Sequence, residues 1–414
     1  MREGTERERV GICVSGGLDS KTVAARLTER GMDIRCYCAD LGQPDEDDIQ
    51  DVVRRMAPTG ATTRIVDARD AMAKACLLVV RCQATYDGGY WNTTGIARAV
   101  TVSALLSAMQ EDGCTVLAHG ATGRGNDQVR FERYTLQLAP QMRVYAPWRD
   151  PEMLAQFPGR REMAAYLVGR GIEAEAGPRK RYSTDANLAG LSHEAEDLES
   201  LGTSCRIVDP KMGVWPEDAP DAIERIRIDI EHGVPVALDG QRLAPLALMQ
   251  EANARAGRNG VGMKNALENR IIGTKSRGVY EAPGMELLGR AVAVIHQATL
   301  DRPSARLFAH LSSVVSDAVY DGRLFEPAAA GAIAGIEALT RTATGSVTFG
   351  MYRGTLHVES MSASAHGLYR EEDASMEASD GLNPTSAQGF LDIAGVSART
   401  LAAAGQIHPN PWER

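Results

Sequence analysis

The sequence predicts an α/β fold: a parallel, doubly wound sheet first, then an α+β half, then a short C-terminal arm. Three observations predict it. Short apolar runs alternate with helical patterns over residues 10–118. A glycine-rich turn follows the first run at once. Beyond about Pro178 the alternation gives way to period-two strands and tight turns. Strands separated by helices need crossovers, which build parallel sheets covered on both faces.

Residues 10–14 (Val-Gly-Ile-Cys-Val) form the first strand. Residues 21–30 read as a helix, with Val23, Ala24 and Leu27 on one face and Gly31 as the stop. The second strand covers 34–39, an acid-rich helix runs over 45–56, and the third strand covers 63–66. Helices over 71–83 and 96–110 and a fourth strand over 114–118 complete this half. Farther on, 224–231 alternates apolar and polar residues, as a half-buried strand does. His232-Gly233 then turns the chain into 234–238, an antiparallel hairpin. A second hairpin spans 347–358 and turns at Arg353-Gly354, and helices cover 285–300 and 307–319. Residues 387–414 are Ala-rich, carry Pro-Asn-Pro at 409–411 and are too few for a domain, which fits an exchanged arm.

The chain has 414 residues, enough for two or three domains at roughly 100–200 residues each. No apolar run approaches the ~20 residues a membrane span needs, and residues 1–9 lack the apolar core of a secretory signal. Forty-five basic against 54 acidic residues give a net charge of −9, which argues against a nucleic-acid or anionic-membrane surface. Seven scattered cysteines with no CxxC pair argue against a disulfide framework and a structural zinc site. Cys36 and Cys38 share one face of a strand and read as core. A reduced, cytoplasmic chain without a protein-built metal site is expected.

Ser15-Gly16-Gly17-Leu18-Asp19-Ser20 joins the first strand to the first helix. The glycines permit a tight turn and close approach of a ligand to the backbone. Open N–H groups, the positive helix end and two hydroxyls make an anion nest suited to phosphate. Asp19 is placed either to hold Mg²⁺ or to cap the helix. Gly120-Ala-Thr-Gly-Arg-Gly-Asn-Asp-Gln-Val-Arg-Phe-Glu132 follows the fourth strand. Thr122, Asn126, Asp127 and Arg130 offer a hydroxyl, an amide, a carboxylate and a guanidinium within nine residues. Such a set grips a zwitterion, Arg for its carboxylate and Asp for its amine. Mixed polar chemistry recurs at Tyr90-Trp-Asn-Thr-Thr94, Tyr182-Ser-Thr-Asp-Ala-Asn187, Ser192-His-Glu194, Glu268-Asn-Arg270 and Lys275-Ser-Arg-Gly-Val-Tyr-Glu-Ala-Pro-Gly284. His119 and His193 adjoin these segments and read as structural or supporting residues.

The first loop resembles the pyrophosphate-binding loop of the ATP pyrophosphatase superfamily. It is not a Walker A loop, because the spacing and the Gly-Lys-Ser/Thr ending are missing. Taken in order with Ala39-Asp-Leu-Gly-Gln43 and Ala146-Pro-Trp148, the segments resemble the argininosuccinate synthase family over residues 10–391. No glutaminase nucleophile, CxxC pair or basic tRNA surface points to other superfamily branches.

The resemblance implies a nucleotide-binding domain over 1–172, an α+β synthetase domain over 173–386 and an oligomerisation arm over 387–414. It implies that Ser15, Gly16, Gly17, Leu18, Asp19, Ser20, Ala39, Gly120, Thr122, Asp127 and Asp185 face ATP. Thr122, Asn126 and Asp127 match aspartate-binding positions. Tyr90, Asn126, Arg130, Ser183, Ser192, Glu194, Glu268 and Tyr280 match citrulline-binding positions. ATP and Mg²⁺ are the implied cofactors, and a homotetramer acting on small molecules is the implied assembly. The family reaction activates the citrulline ureido oxygen as a citrullyl-AMP, with loss of pyrophosphate, and the aspartate amine then displaces AMP. Positioning and charge stabilisation dominate such chemistry. Asp127 and Asp19 are the expected catalytic residues, Asp127 orienting the amine or taking its proton.

Two departures stand out. The loop ends Ser20-Lys21 where the family reads Thr-Ser, so Lys21 either touches a phosphate or points into solvent. Gly95 stands where one branch has a Ser that binds the citrulline backbone. They leave a second reading open: a specialised-metabolism paralogue doing the same chemistry on another ureido or amino substrate.

Overall fold

Five short strands meet in one parallel sheet: β1 (Arg9–Cys13), β2 (Asp33–Asp40), β3 (Thr62–Asp67), β4 (Val116–His119) and β5 (Arg143–Tyr145). Their order is β3-β2-β1-β4-β5, and each neighbouring pair is parallel. In the computed structural model, residues 8–174, 181–363, 366–374, 383–409 and 412 are described. The expectations at residues 1–7, Pro178 and Asn410-Pro411 lie outside them.

The crossovers are α1 (Leu18–Glu29), α2 (Asp51–Met56), α3 (Arg69–Cys82), α4 (Thr93–Glu111) and α5 (Asp127–Leu138), with α6 (Pro151–Gln156) and α7 (Arg160–Val168) after β5. The doubly wound class is therefore the one the sequence predicts. Two elements differ. The helix expected from residue 45 begins only at Asp51, because the Asp48 carboxylate accepts the Gln50 N–H at 2.9 Å and turns the chain there. The Gly120 segment is a loop only to Asn126, and Asp127 opens α5.

The second half holds β6 (Ser183–Asn187), β7 (Gly190–Glu194), β8 (Glu224–Glu231), β9 (Val234–Leu238), β10 (Gln241–Arg242), β11 (Met263–Asn269), β12 (Lys275–Glu281), β13 (Gly345–Tyr352) and β14 (Thr355–Ala363). Helices α8 (Pro245–Arg258), α9 (Pro283–Thr299), α10 (Arg302–Tyr320) and α11 (Pro327–Leu339) run among them. Two antiparallel sheets result, β10-β9-β8-β13-β14 and β11-β12-β7-β6. The hairpins β8–β9 and β13–β14 fall where period-two alternation places them. The β6–β7 hairpin has no such pattern in its sequence and was legible only as polar segments.

One apolar cluster spans both halves, from Tyr37, Leu117 and Val102 to Ile228, Val292 and Phe349. The chain forms two compact units, Met1–His366 and Gly367–Arg414. The expected 172/173 boundary falls inside the first. The second contains a helix, Ser386–Ala403, whose Phe390 and Ile393 are 73% and 78% exposed. Among the described residues no helix is long and apolar enough to cross a membrane.

Candidate functional site

The chain leaves β1 toward β2 on one side and reaches β4 on the other, which opens a crevice beyond their carboxyl ends. A cleft of about 860 Å³ lies there. In the Ser15–Ser20 turn beside it, Gly16 turns the backbone with φ +74°, and a Cβ at that position would sit 2.8 Å from Arg55 Nε. That guanidinium is held by both Glu46 oxygens, at 3.0 and 2.7 Å. The Ser15 N–H donates to Ser20 Oγ at 3.0 Å and closes the turn. Gly17 is the helix N-cap and no side chain caps it, so Asp19 stands in the first turn of α1 without capping it. Ser15, Asp19, Ser20 and Ala39 line the cleft; Gly16, Gly17 and Leu18 shape the turn without lining it. Lys21 does not line it either, and its ammonium reaches the Glu173 carbonyl at 2.8 Å.

The β4 end supplies Gly120, Thr122 and Asn126, and α5 supplies Asp127 and Arg130. The Asp127 carboxylate is clamped from two sides. Arg98 Nε on α4 donates to Oδ2 at 2.9 Å, and Arg130 Nη1 donates to Oδ1 at 2.9 Å. Burial alone would raise this carboxyl, but the two guanidiniums outweigh it and hold it below the usual carboxylate range. Arg98 reaches onward to Asp185 Oδ2 at 2.7 Å, tying α4 to β6.

The opposite wall is one face of the sheet β11-β12-β7-β6. Register places Ser183 across from Glu194 and Asp185 across from Ser192, and Tyr280 pairs with Ser192. Cross-strand partners share a face, so these side chains fall on one side. Ser183, Asp185, Ser192, Glu194 and Glu268 line the cleft. Tyr280 does not; it packs behind Tyr90, ring centroids 4.2 Å apart. Tyr90 lines the cleft, and its hydroxyl accepts the Thr94 N–H at 2.9 Å. Burial, then the charges of Glu268 and Asp127, push Glu194 up to about 7. Burial also raises Glu268, against the Tyr320 hydroxyl, Arg130 and Arg270.

Sequence reasoning missed Arg98 and Tyr320, and read Arg270 within a polar segment without giving it a role. Arg98 carried a signal: it is the sole charged residue in 93–110, and a lone charge on an apolar helix implies buried counter-ions. Arg270 Nη2 stands 3.8 Å from Glu194 Oε2. Neither His119 nor His193 lines the cleft. His193 Nε2 meets Glu281 Oε1 at 2.8 Å in the interior, and the same carboxylate accepts the Lys211 and Met212 N–H groups. Gly95 is buried where α4 crosses α10, and a Cβ there would lie 2.8 Å from the Val319 carbonyl oxygen. A serine at 95 has no room in this chain.

Mg²⁺ fits the nest only in one way. Among the described residues no group of three or more His, Cys, Asp or Glu is placed to hold a metal. Asp19 is the carboxylate beside the phosphate-suited turn, and its nearest cation, Arg160, is 4.0 Å away. That donor set suits an ion held mainly by phosphate oxygens and water.

Comparison with known proteins gives two family models. Arginosuccinate synthase N-terminal HUP domain matches residues 9–173, and Arginosuccinate synthase C-terminal domain matches residues 182–401. An argininosuccinate synthase of Rhodopirellula baltica is 39% identical over 405 residues, covering 97% of this chain and 99% of that protein.

Proposed function

Since the chain belongs to the argininosuccinate synthase family, we propose that its cleft joins L-citrulline to L-aspartate with ATP through a citrullyl-AMP intermediate, releasing AMP and pyrophosphate, within arginine biosynthesis. The observation that carries this reading is the convergence of residues from widely separated segments, Ser15 to Glu268, on one cleft. Residues 1–172 would then be the nucleotide-binding part and 173–386 the synthetase part, in a cytoplasmic enzyme.

The turn at Ser15–Ser20 receives the pyrophosphate end of ATP, its open N–H groups and hydroxyls stabilising the departing charge. Mg²⁺, held by Asp19 and the phosphates, would supply further neutralisation of that charge. Glu194 and Glu268 meet the citrulline ammonium, and Arg130 its carboxylate. The ureido oxygen is thereby set toward the α-phosphorus. Thr122, Asn126 and Asp127 hold aspartate so that its amine faces the activated carbon. Of the two roles open to Asp127, orientation suits it: two guanidiniums keep it ionised and make it a weak proton acceptor.

The test is pyrophosphate and AMP release with Mg-ATP alone, with citrulline, and with citrulline plus aspartate, followed by mass spectrometry. Release that needs both amino acids, with argininosuccinate found, is expected. ATP binding without turnover on citrulline would transfer the reading to another ureido or amino substrate.

A pH profile probes the citrulline end. The kcat/KM for citrulline reports ionisations of the free enzyme. A carboxyl raised to about 7 is protonated below that pH and cannot pair with an ammonium. Citrulline kcat/KM is expected to fall about tenfold per pH unit on that acid side, and Glu194→Gln to flatten the fall. A wild-type profile already flat there would remove Glu194 from citrulline recognition.

We also propose a homotetramer in which residues 387–414 act as the joining arm. The exposed Phe390, Ile393 and Val396 on one helix support it. Light scattering that reads a stable monomer would overturn it.

A further inference from the structure

Tyr320 closes α10 and has no surface of its own. Its hydroxyl donates to Glu268 Oε2 at 2.8 Å and accepts the Asn126 Nδ2 hydrogen at 3.0 Å. Its carbonyl accepts Arg130 Nε at 2.8 Å, and its ring lies 4.9 Å from the same guanidinium. Tyr86 stacks on the ring's other side, centroids 3.6 Å apart. Asn126 is fixed at its second end too, since Oδ1 accepts the Ile271 N–H at 3.0 Å. Asn126, Arg130 and Glu268 come from three elements and face the cleft, whereas Tyr320 does not line it.

We propose that Tyr320 is a positioning residue for the citrulline end of the cleft, setting Asn126, Arg130 and Glu268 at one mutual spacing from behind. The inference rests on the citrulline reading above. Its hydroxyl is committed at both ends: the hydrogen goes to Glu268, and the oxygen takes the Asn126 amide. Glu268 therefore keeps Oε1 for a ligand, and Asn126 keeps one N–H. Fixed donors and acceptors of this kind act without reorganising when substrate arrives.

Tyr320→Phe removes the hydroxyl and leaves the ring, its stacking and the backbone carbonyl. The citrulline KM is expected to rise about tenfold, the size of one lost hydrogen bond to a charged group, while the ATP KM stays within about twofold. A second readout separates positioning from packing. Glu268 is faced by Tyr320 on α10, Arg130 on α5, Arg270 after β11, Glu194 on β7, and Asp87, Tyr86 and Tyr90 before α4. Of these, the Tyr320 hydroxyl is the hydrogen-bond donor that favours the ionised carboxylate. Its loss should move the acid limb of citrulline kcat/KM to higher pH. Tyr86→Leu, which loosens the stack and spares both hydroxyl bonds of Tyr320, should raise the citrulline KM by a smaller factor.

Unchanged citrulline KM and pH profile in Tyr320→Phe overturn the proposal, and so does an equal rise in the citrulline and ATP KM values. If Tyr320→Phe does not fold, an unaltered citrulline KM in Tyr86→Leu overturns it. A wild-type protein that makes no argininosuccinate removes the parent reading and this inference together. An active wild type with unaltered variants removes the inference alone.

Discussion

Asp127→Asn is expected to lower the turnover for argininosuccinate at least about a hundredfold while ATP still binds, the loss typical when one preorganised charge is taken from a reacting centre. The substitution is nearly isosteric, so the cleft keeps its shape. What changes is charge. Two guanidiniums that shared one carboxylate, each at 2.9 Å, lose it. An amide still offers one acceptor to one of them and turns an N–H toward the other. The aspartate amine then meets no anion. A buried pair broken from one side costs about 3–5 kcal/mol, and the 27% exposure of the Asp127 side chain brings that nearer about 2 kcal/mol. Pyrophosphate release, nucleotide binding by calorimetry and thermal denaturation check the three statements. Near-normal turnover would remove Asp127 from the chemistry.

Arg98→Met is expected to be the more damaging to stability. Its guanidinium joins Asp127 on α5 to Asp185 on β6, and with methionine those two carboxylates face each other across an apolar side chain. Arg98 is 16% exposed, so the cost falls within about 3–5 kcal/mol. The pH dependence has a definite sign. Asp127 is held below its ordinary range in the folded protein, so its contribution is present above the unfolded carboxylate value, about 3.9, and fades as pH falls through the folded value. The stability gap between wild type and Arg98→Met should therefore narrow in acid. Denaturant melts at about pH 7 and about pH 2.5, below the unfolded carboxylate value, measure it. A gap that is constant across that range would mean that Arg98 stabilises by packing its stem, not by charge.

How much of this was legible depends on where each signal lies along the chain. The Ser15–Ser20 turn is contiguous and follows an apolar strand, so its chemistry is readable in six letters. Asp127 and Arg130 were read together but on a loop, because a helix that opens at Asp127 has its polar first turn turned to the cleft. The β6–β7 hairpin hid for a related reason. Ser183, Asp185, Ser192 and Glu194 occupy alternate positions on the face turned to the cleft, so polar side chains stand where a strand usually shows its apolar face. Tyr320 left no local trace at all. Its partners Glu268 and Asn126 are 52 and 194 residues distant, and only the folded chain brings them together.

The apolar cluster that runs from Tyr37 and Leu117 to Val292 and Phe349 has a consequence for recombination. A fragment cut at the 172/173 junction would present half of a dry interior to water and would associate through it. Chimeras between relatives should then succeed when both faces of that interior come from one parent, and fail when only the cleft residues are matched. Inheritance of the two halves as a single unit follows from what they hide from solvent as much as from what they catalyse.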